Sequence, residues 1–372
     1  MLRSPTDSKR QPGEQGSDAP EVSVIVPARN EEDCLGACLQ SIVTQDAVDF
    51  EVIVVDDDST DRTREIASSF ANVQVVHAAP LRPGRTGKSN ALATGATHAR
   101  GTGLLFTDAD TVHLPGSLGR TVLEAQAHHA ALLSYSPAQE VHGFWEKAIM
   151  PVVFAELTAT FRTEDVNDPA SPVAAANGQY LFIRRDVYES IGGFASLSQS
   201  LLEDVDLARA VKRAGYPVYF RFGGDAVRTR MYRNFADLRQ GWTKNLALLF
   251  PSPGQLAIKR ALEFLVVLVG TTTALIAALK NAPGLAVSAG ALAATLYALF
   301  LRRIRRAHFG WDANLLAIFG LPVFVLLLRR SQLSHRRGAI VWKGRTYGGR
   351  AFPAQKPGDM RAEAVGAHRS GT

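Results

Sequence analysis

The stretch "FEVIVVDDDSTDRTREIASSF", residues 50–70, decides the fold. After Phe50 and Glu51, Val52 to Val55 is a short run of apolar β-branched residues, the pattern of a strand buried on both faces. Three carboxylates, Asp56 to Asp58, end it abruptly, and a helix-forming segment follows to Phe70. The same scheme is present upstream. "EVSVIVPARNEED", residues 21–33, is an apolar run that breaks into a polar turn and leads a helix ending near Gln45. Downstream, "NVQVVHAA" (72–79) reads as a third strand and "GLLFTDAD" (103–110) as a fourth, with a helix through Ala99 between them. Strands alternating with helices predict an α/β domain built on a mostly parallel sheet.

In such sheets ligands sit beyond the carboxyl ends of the strands. Each strand delivers polar residues to that edge: Arg29 to Glu32, Asp56 to Asp58, and Asp108 with Asp110. One nucleotide site is therefore expected there. Between the third and fourth strands, "GRTGKSNAL" (84–92) carries the Gly-Lys-Ser tail of a P-loop. A P-loop needs a glycine six positions before its lysine, and here that position is Arg82. The P-loop reading of Lys88 therefore lacks its full glycine cradle, and the rest of the chain must decide which phosphate, if any, this lysine serves.

The acids suggest chemistry. In extended backbone, side chains two apart point the same way. Asp108 and Asp110 would then converge and repel unless a cation lay between them. Mg²⁺ or Mn²⁺ bridging diphosphate oxygens fits that place. In the run from Asp56 to Asp61, Ser59, Thr60 or Asp61 could cap the next helix, which leaves a carboxylate for a ribose or a base N–H. "SLLEDVDLARAVKRAGY" (200–216) is an amphipathic helix opened by acids. Asp204 is either a cap favoured by the helix dipole or a general base for an acceptor hydroxyl.

Composition turns attention to a membrane. The formal charge is +6, but the excess is local: Arg302 to Arg350 holds eleven Lys or Arg and one acid, Asp312. These clusters flank apolar runs, so a lipid surface explains them better than a nucleic acid. Residues 264–279 and 281–301 have one charge between them, Lys280, and 313–328 is uncharged but interrupted by Gly320-Leu321-Pro322. Two spans are expected, with a third segment that tilts across, lies at the interface or re-enters at Gly-Leu-Pro. "RQGWTKNLALLF" (239–250) reads as an interfacial helix, and "VWKGRTY" (341–347) as a basic-aromatic cluster snorkelling at the membrane face. The two cysteines, Cys34 and Cys38, are too few for a metal site and read as small apolar residues. The expected organisation is a disordered tail (1–20), a catalytic domain (21–250), a membrane domain (251–335) and a basic cytosolic tail (336–372).

Taken in order, "VIVPARNEE", "VVDDDSTD", "TDAD", "EDVD" and "GWTK" resemble the inverting family-two glycosyltransferases, over about residues 21–250. The resemblance implies a GT-A fold, a nucleotide-diphosphate sugar donor and a divalent metal. The membrane tail with "GWTKNL" and "WKGRTY" is similar to the lipid-directed branch, which includes diaponeurosporenoate, hopanoid-associated and ceramide glucosyltransferase-like enzymes. It implies that Pro27, Arg29 and Glu31 line the nucleotide pocket and that Asp57, with Asp56, holds the base or ribose. Lys88 would touch the diphosphate, Asp108 the ribose or metal, and Asp110 the metal. Asp204 would be the catalytic base with Glu203 beside it, and Gly178 and Gln179 would lie near the sugar. Processive polysaccharide synthases of this family carry Q-x-x-R-W; here Leu238 and Gly241 replace the glutamine and arginine before Trp242. This disfavours the alternative of a polymer synthase, although Trp242 and Lys244 could still reach the diphosphate. A catalytically inactive sugar-nucleotide-binding membrane protein is a further alternative. The expected setting is the inner cell membrane, with the catalytic domain cytosolic and a membrane lipid as acceptor.

Overall fold

A computed structural model describes residues 19–82, 84–338, 340–342 and 345–347. Most of the expected N-terminal tail, and Lys343 and Gly344 of the terminal cluster, lie outside the described residues. The predicted strands form as read: β1 (Val22–Ala28), β2 (Phe50–Asp56), β3 (Val73–His77) and β4 (Gly103–Thr107). Helices α1 (Leu35–Val43), α2 (Thr63–Ser68) and α3 (Gly87–His98) join them. β5 (Thr111–His113), α4 (Ser117–Ala127), β6 (Leu132–Ser136), β7 (Ala138–Gln139), α5 (Phe144–Thr160) and α6 (Thr163–Asn167) follow. β8 (Tyr180–Arg184), α7 (Arg185–Ser190), α8 (Gly193–Ser196), α9 (Glu203–Arg213), β9 (Val218–Phe222) and β10 (Val227–Thr229) complete the catalytic domain.

The main sheet has the order β3-β2-β1-β4-β8-β6-β9. β3, β2, β1 and β4 run parallel, and β8 is antiparallel to both β4 and β6. Pleating sends alternate residues to opposite faces. Ile25, Ile53 and Val55 pack with Ala91 and Leu92 of α3 and Leu207 of α9, while Val24, Val26, Val52 and Val54 pack with Leu35, Cys38 and Leu39 of α1. Both faces are covered, which is why these strands read as continuous apolar runs. Cys38 is a free thiol in that second layer, and burial pushes it well above the usual thiol range.

The C-terminal region is helical: α10 (Phe235–Leu249), α11 (Pro253–Leu279), α12 (Pro283–Ile304) and α13 (Trp311–Arg337), then the strand pair β11 (Ile340–Trp342) and β12 (Arg345–Tyr347). Three helices are long and apolar enough to cross a membrane, α11, α12 with its short continuation to Ala307, and α13. α11 and α12 pair with each other and leave Leu265, Val269, Leu279, Val287, Leu292 and Leu299 exposed.

α13 differs. It runs unbroken through Gly320-Leu321-Pro322, so the re-entrant turn considered for that tripeptide is not formed. Gly320 lies against α5 so closely that a Cβ there would fall 1.9 Å from the Ala148 carbonyl oxygen. Its first turn is tied to α5 by Lys147 Nζ–Asp312 Oδ2 at 2.7 Å. Its last turns are tied to α10: the Ala247 N–H donates to Ser331 Oγ at 2.9 Å, and His335 Nε2 lies 2.7 Å from the Lys244 carbonyl. Both ends of α13 therefore touch the catalytic domain. Trp311, Leu315, Phe319, Leu326 and Leu333 form its exposed apolar stripe.

A buried ion network joins α5 to α11 and α12. Arg260 Nε sits 2.9 Å from Glu156 Oε1, Arg260 Nη1 donates to Glu263 at 2.8 Å, and Arg303 Nη1 pairs with Glu263 at 2.9 Å. Arg260 is 6% exposed and Glu156 4%. Removing one member of a buried pair costs about 3–5 kcal/mol because the other charge stays behind. Glu156→Ala should therefore lower thermal stability in detergent by that order, measured by fluorescence melting; an unchanged melting temperature would show that the network does not clamp the two parts.

Candidate active site

Two cavities meet beyond the carboxyl ends of the strands. The first, of 470 Å³, is lined by Pro27, Arg29 and Glu31 after β1, Asp57 after β2, Lys88 at the start of α3, and Asp108 and Asp110 after β4. The second, of 530 Å³, runs from the same centre towards the membrane helices. Phe154, Leu157, Phe161, Phe222, Met231 and Trp242 wall it, and Asp204, Gly178 and His308 line it. Lys88, Asp108, Gln179, Glu203 and Lys244 line both.

Lys88 is the hinge of the centre. Its ammonium lies 2.7 and 3.0 Å from the two oxygens of Asp108 and 3.3 Å from Glu203 Oε1. The residue is delivered there because Thr86 caps α3, its Oγ1 accepting from the Ser89 N–H at 3.3 Å. Burial works against the charge, but Asp108, then Glu203 and Asp204, outweigh it and hold the ammonium above the usual lysine range. Lys244 moves the other way: burial lowers it, Glu203 opposes this, and Lys88 adds to it.

Asp204 sits in the first turn of α9. Its Oδ2 accepts from the Gly178 N–H at 2.8 Å and its Oδ1 from the Val205 N–H at 2.8 Å. Burial first, and Glu203 second, raise its carboxyl to about 6, with Lys88 opposing. That range suits a general base working near neutral pH. Gly178 has no side chain where one would crowd Lys88 Nζ at 3.3 Å and Asp204 Oδ2 at 3.4 Å.

Four of the expected placements change. Asp56 is 3% exposed and does not line the nucleotide-side cavity; its Oδ1 accepts from the Ser59 N–H at 3.2 Å and holds the acidic loop. Trp242 was expected at the diphosphate but lines the apolar cavity, 2% exposed, with Nε1 lacking a hydrogen-bond partner among the described residues. Asp108 and Asp110 flank a turn rather than extended backbone, closed by the Thr111 N–H on the Asp108 carbonyl at 3.2 Å. Both still face the first cavity, so a turn achieves what a strand was expected to do. The last change concerns Arg345 of the terminal cluster, which is not at a membrane face: its guanidinium grips Asp57, with Nη2 donating to Oδ1 at 3.1 Å.

Other residues were legible only in part. "VRTRMYR" (227–233) brings Arg230, Tyr232 and Arg233 to the first cavity, although Arg230 is paired with Glu146 at 3.0 Å. His308, between α12 and α13, stacks on Phe222 with ring centroids 4.1 Å apart, and nothing in its local sequence signals this. Among the described residues no group of three or more His, Cys, Asp or Glu could enclose a metal ion. Asp108 and Asp110 nonetheless fit a hard divalent cation that completes its shell with diphosphate oxygens and water.

Residues 23–192 match the model of Glycosyl transferase family 2. A 4,4'-diaponeurosporenoate glycosyltransferase from Staphylococcus aureus (strain USA300) is 29% identical over 342 residues, 88% of each chain. The protein of the same description from the bovine strain RF122 / ET3-1 is 28% identical over the same span. Among solved structures, a mannosyltransferase from Pyrobaculum calidifontis in complex with GDP-Man and Mn2+ has a TM-score of 0.50 at 20% identity, covering 85% of this chain and 87% of that one. Strand-end acids on a GT-A sheet, the domain match and the similarity over most of the chain agree: the chain is a glycosyltransferase whose residues 23–192 match Glycosyl transferase family 2.

Proposed function

We propose that the chain transfers a hexose, with inversion, from a nucleotide-diphosphate sugar, most simply a UDP-sugar, to a hydroxyl of a membrane lipid. The observation that carries this reading is the meeting of the two cavities at Lys88, Asp108, Gln179, Glu203 and Lys244. The charged cavity suits a nucleoside diphosphate, and the aromatic one suits an apolar acceptor. Pro27, Arg29, Glu31 and Asp57 hold the nucleoside. Asp110, with Asp108, would hold Mg²⁺ or Mn²⁺, which supplies positive charge to the leaving diphosphate. Lys88 and Lys244 add charge at the same place.

Asp204 accepts the proton of the acceptor hydroxyl. The freed oxygen attacks the anomeric carbon, and the bond from that carbon to the diphosphate oxygen breaks with its electron pair leaving on the nucleotide. Gly178 aims Asp204 through its backbone N–H. A second reading follows from the Staphylococcus aureus relatives, which are named for a carotenoid acid. A carboxylate acceptor is already ionised at neutral pH and needs no base, so the raised Asp204 favours the hydroxyl.

The way α13 is held supports one membrane arrangement. Both its ends are tied to the catalytic domain, so α11 and α12 are the two crossings, and α13 lies along the bilayer surface with its apolar stripe in the lipid. This keeps the terminal cluster on the same side as the catalytic domain, which we place in the cytosol at the inner membrane.

Three outcomes test this. Asp204→Asn should reduce transfer to a hydroxyl lipid by about 10²–10⁴-fold, the range of general-base catalysis, in a membrane assay screened with UDP-glucose, UDP-N-acetylglucosamine and GDP-mannose; transfer that survives only with carboxyl acceptors would favour the second reading. Because the base works deprotonated, kcat/KM should fall as pH drops through about 6 and level off above it. Single cysteines at Trp311 and Arg336, in a chain lacking Cys34 and Cys38, should both react with an impermeant maleimide from the catalytic side only; labelling from opposite sides would make α13 a true span.

A further inference from the structure

We propose that Arg345 is a donor-binding residue, carried by the β11–β12 strand pair as a strap over the nucleotide cavity. The inference rests on the nucleotide-sugar reading above and extends it to a segment that follows all the membrane helices. Arg345 lies 288 residues from Asp57 in the chain. Its guanidinium nevertheless takes both oxygens of that carboxylate and approaches Asp58 Oδ2 at 4.0 Å. Only 19% of the Arg345 side chain is exposed, and it lines the cavity that holds Lys88, Asp108 and Asp110.

Gly87 records how closely the strap passes. A Cβ at that position would fall 1.8 Å from Arg345 Nη1 and 2.6 Å from Asp57 Oδ2. Glycine there lets the guanidinium lie between the nucleoside acid and the segment that presents Lys88. Its fork of N–H donors matches a carboxylate and a phosphate equally well. A nucleoside that donates to Asp57 competes with Arg345 for the oxygens of that carboxylate. A guanidinium loosened from it is drawn to a stronger anion, and the donor brings one in its diphosphate. Arg345 thus exchanges Asp57 for the diphosphate as the donor enters.

This exchange gives opposite signs for two probes. With full-length protein in detergent, binding of UDP and GDP is measured by titration calorimetry, and then binding of the nucleoside of whichever one the unaltered protein takes up. Arg345→Ala should weaken the diphosphate about tenfold or more, the worth of a charge-assisted hydrogen bond, while the nucleoside alone binds as well as before or more tightly. Arg345→Lys, which keeps the charge but loses the fork, should recover part of the diphosphate affinity. Equal weakening of nucleoside and diphosphate, or no loss of diphosphate affinity, would overturn the role of Arg345 and leave the donor reading standing. Unaltered protein that binds neither diphosphate would overturn the donor reading and this inference with it.

Discussion

The centre of this protein is a lysine drawn partly out of water among three acids. An ammonium can be withdrawn from solvent only if other charges replace its hydration. Lys88 meets this demand with Asp108 at 2.7 Å and Glu203 at 3.3 Å, and Asp204 acts on it as well. The three groups come from the start of α3, the end of β4 and the start of α9, so one electrostatic requirement aligns three elements. It also sets Asp204 apart from the other two. Asp108 and Glu203 have Lys88 in contact, while the carboxyl of Asp204 is dominated by burial and rises to about 6. Neighbouring acids with different surroundings can thereby hold different tasks.

The second constraint is a backbone contact. α13 approaches α5 at Gly320 more closely than any side chain would allow. This seats an apolar helix on the catalytic domain rather than apart from it. The apolar cavity has walls from α5 and α10 together with the segment between α12 and α13. A purely soluble domain of this fold would lack the wall that His308 and Ala307 supply. The Arg260–Glu156–Glu263–Arg303 network then fixes the two outer helices to the same α5. The catalytic centre and the apolar helices are therefore joined through both α5 and α10.

How much could be read beforehand depended on the range of the physics. The parallel strands β1, β2 and β4 were legible because burial on both faces writes a nearly continuous apolar run, and β3, half-buried at the sheet edge, by its valines. The acids at their ends were legible because a parallel sheet collects strand ends at one edge. Glu203 and Asp204 were legible as acids opening an amphipathic helix. The misplacements share another cause. Asp56 and Asp57 are adjacent and chemically identical, and only the fold of the loop turns one inward to Ser59 and the other to the cavity. Trp242 looked like an interfacial anchor because a sequence shows a residue's type but not the face of α10 that is covered. Pro322 suggested a break, yet packing against α5 keeps the helix continuous around it.

By itself, then, the sequence determined the sheet, the strand-end carboxylates, the lysine that opens α3 and the apolar helices, all properties written within a window of a few residues by hydrophobic pattern and charge. Only the tertiary structure decided which of those charges meet. It turned Asp108 towards Lys88, set Trp242 in the apolar cavity, laid α13 along the domain with both ends tied to it, and returned Arg345 to Asp57. Each of these is a contact between distant segments. Their energies come from desolvation and close packing, which exist only once the chain has folded and excluded water.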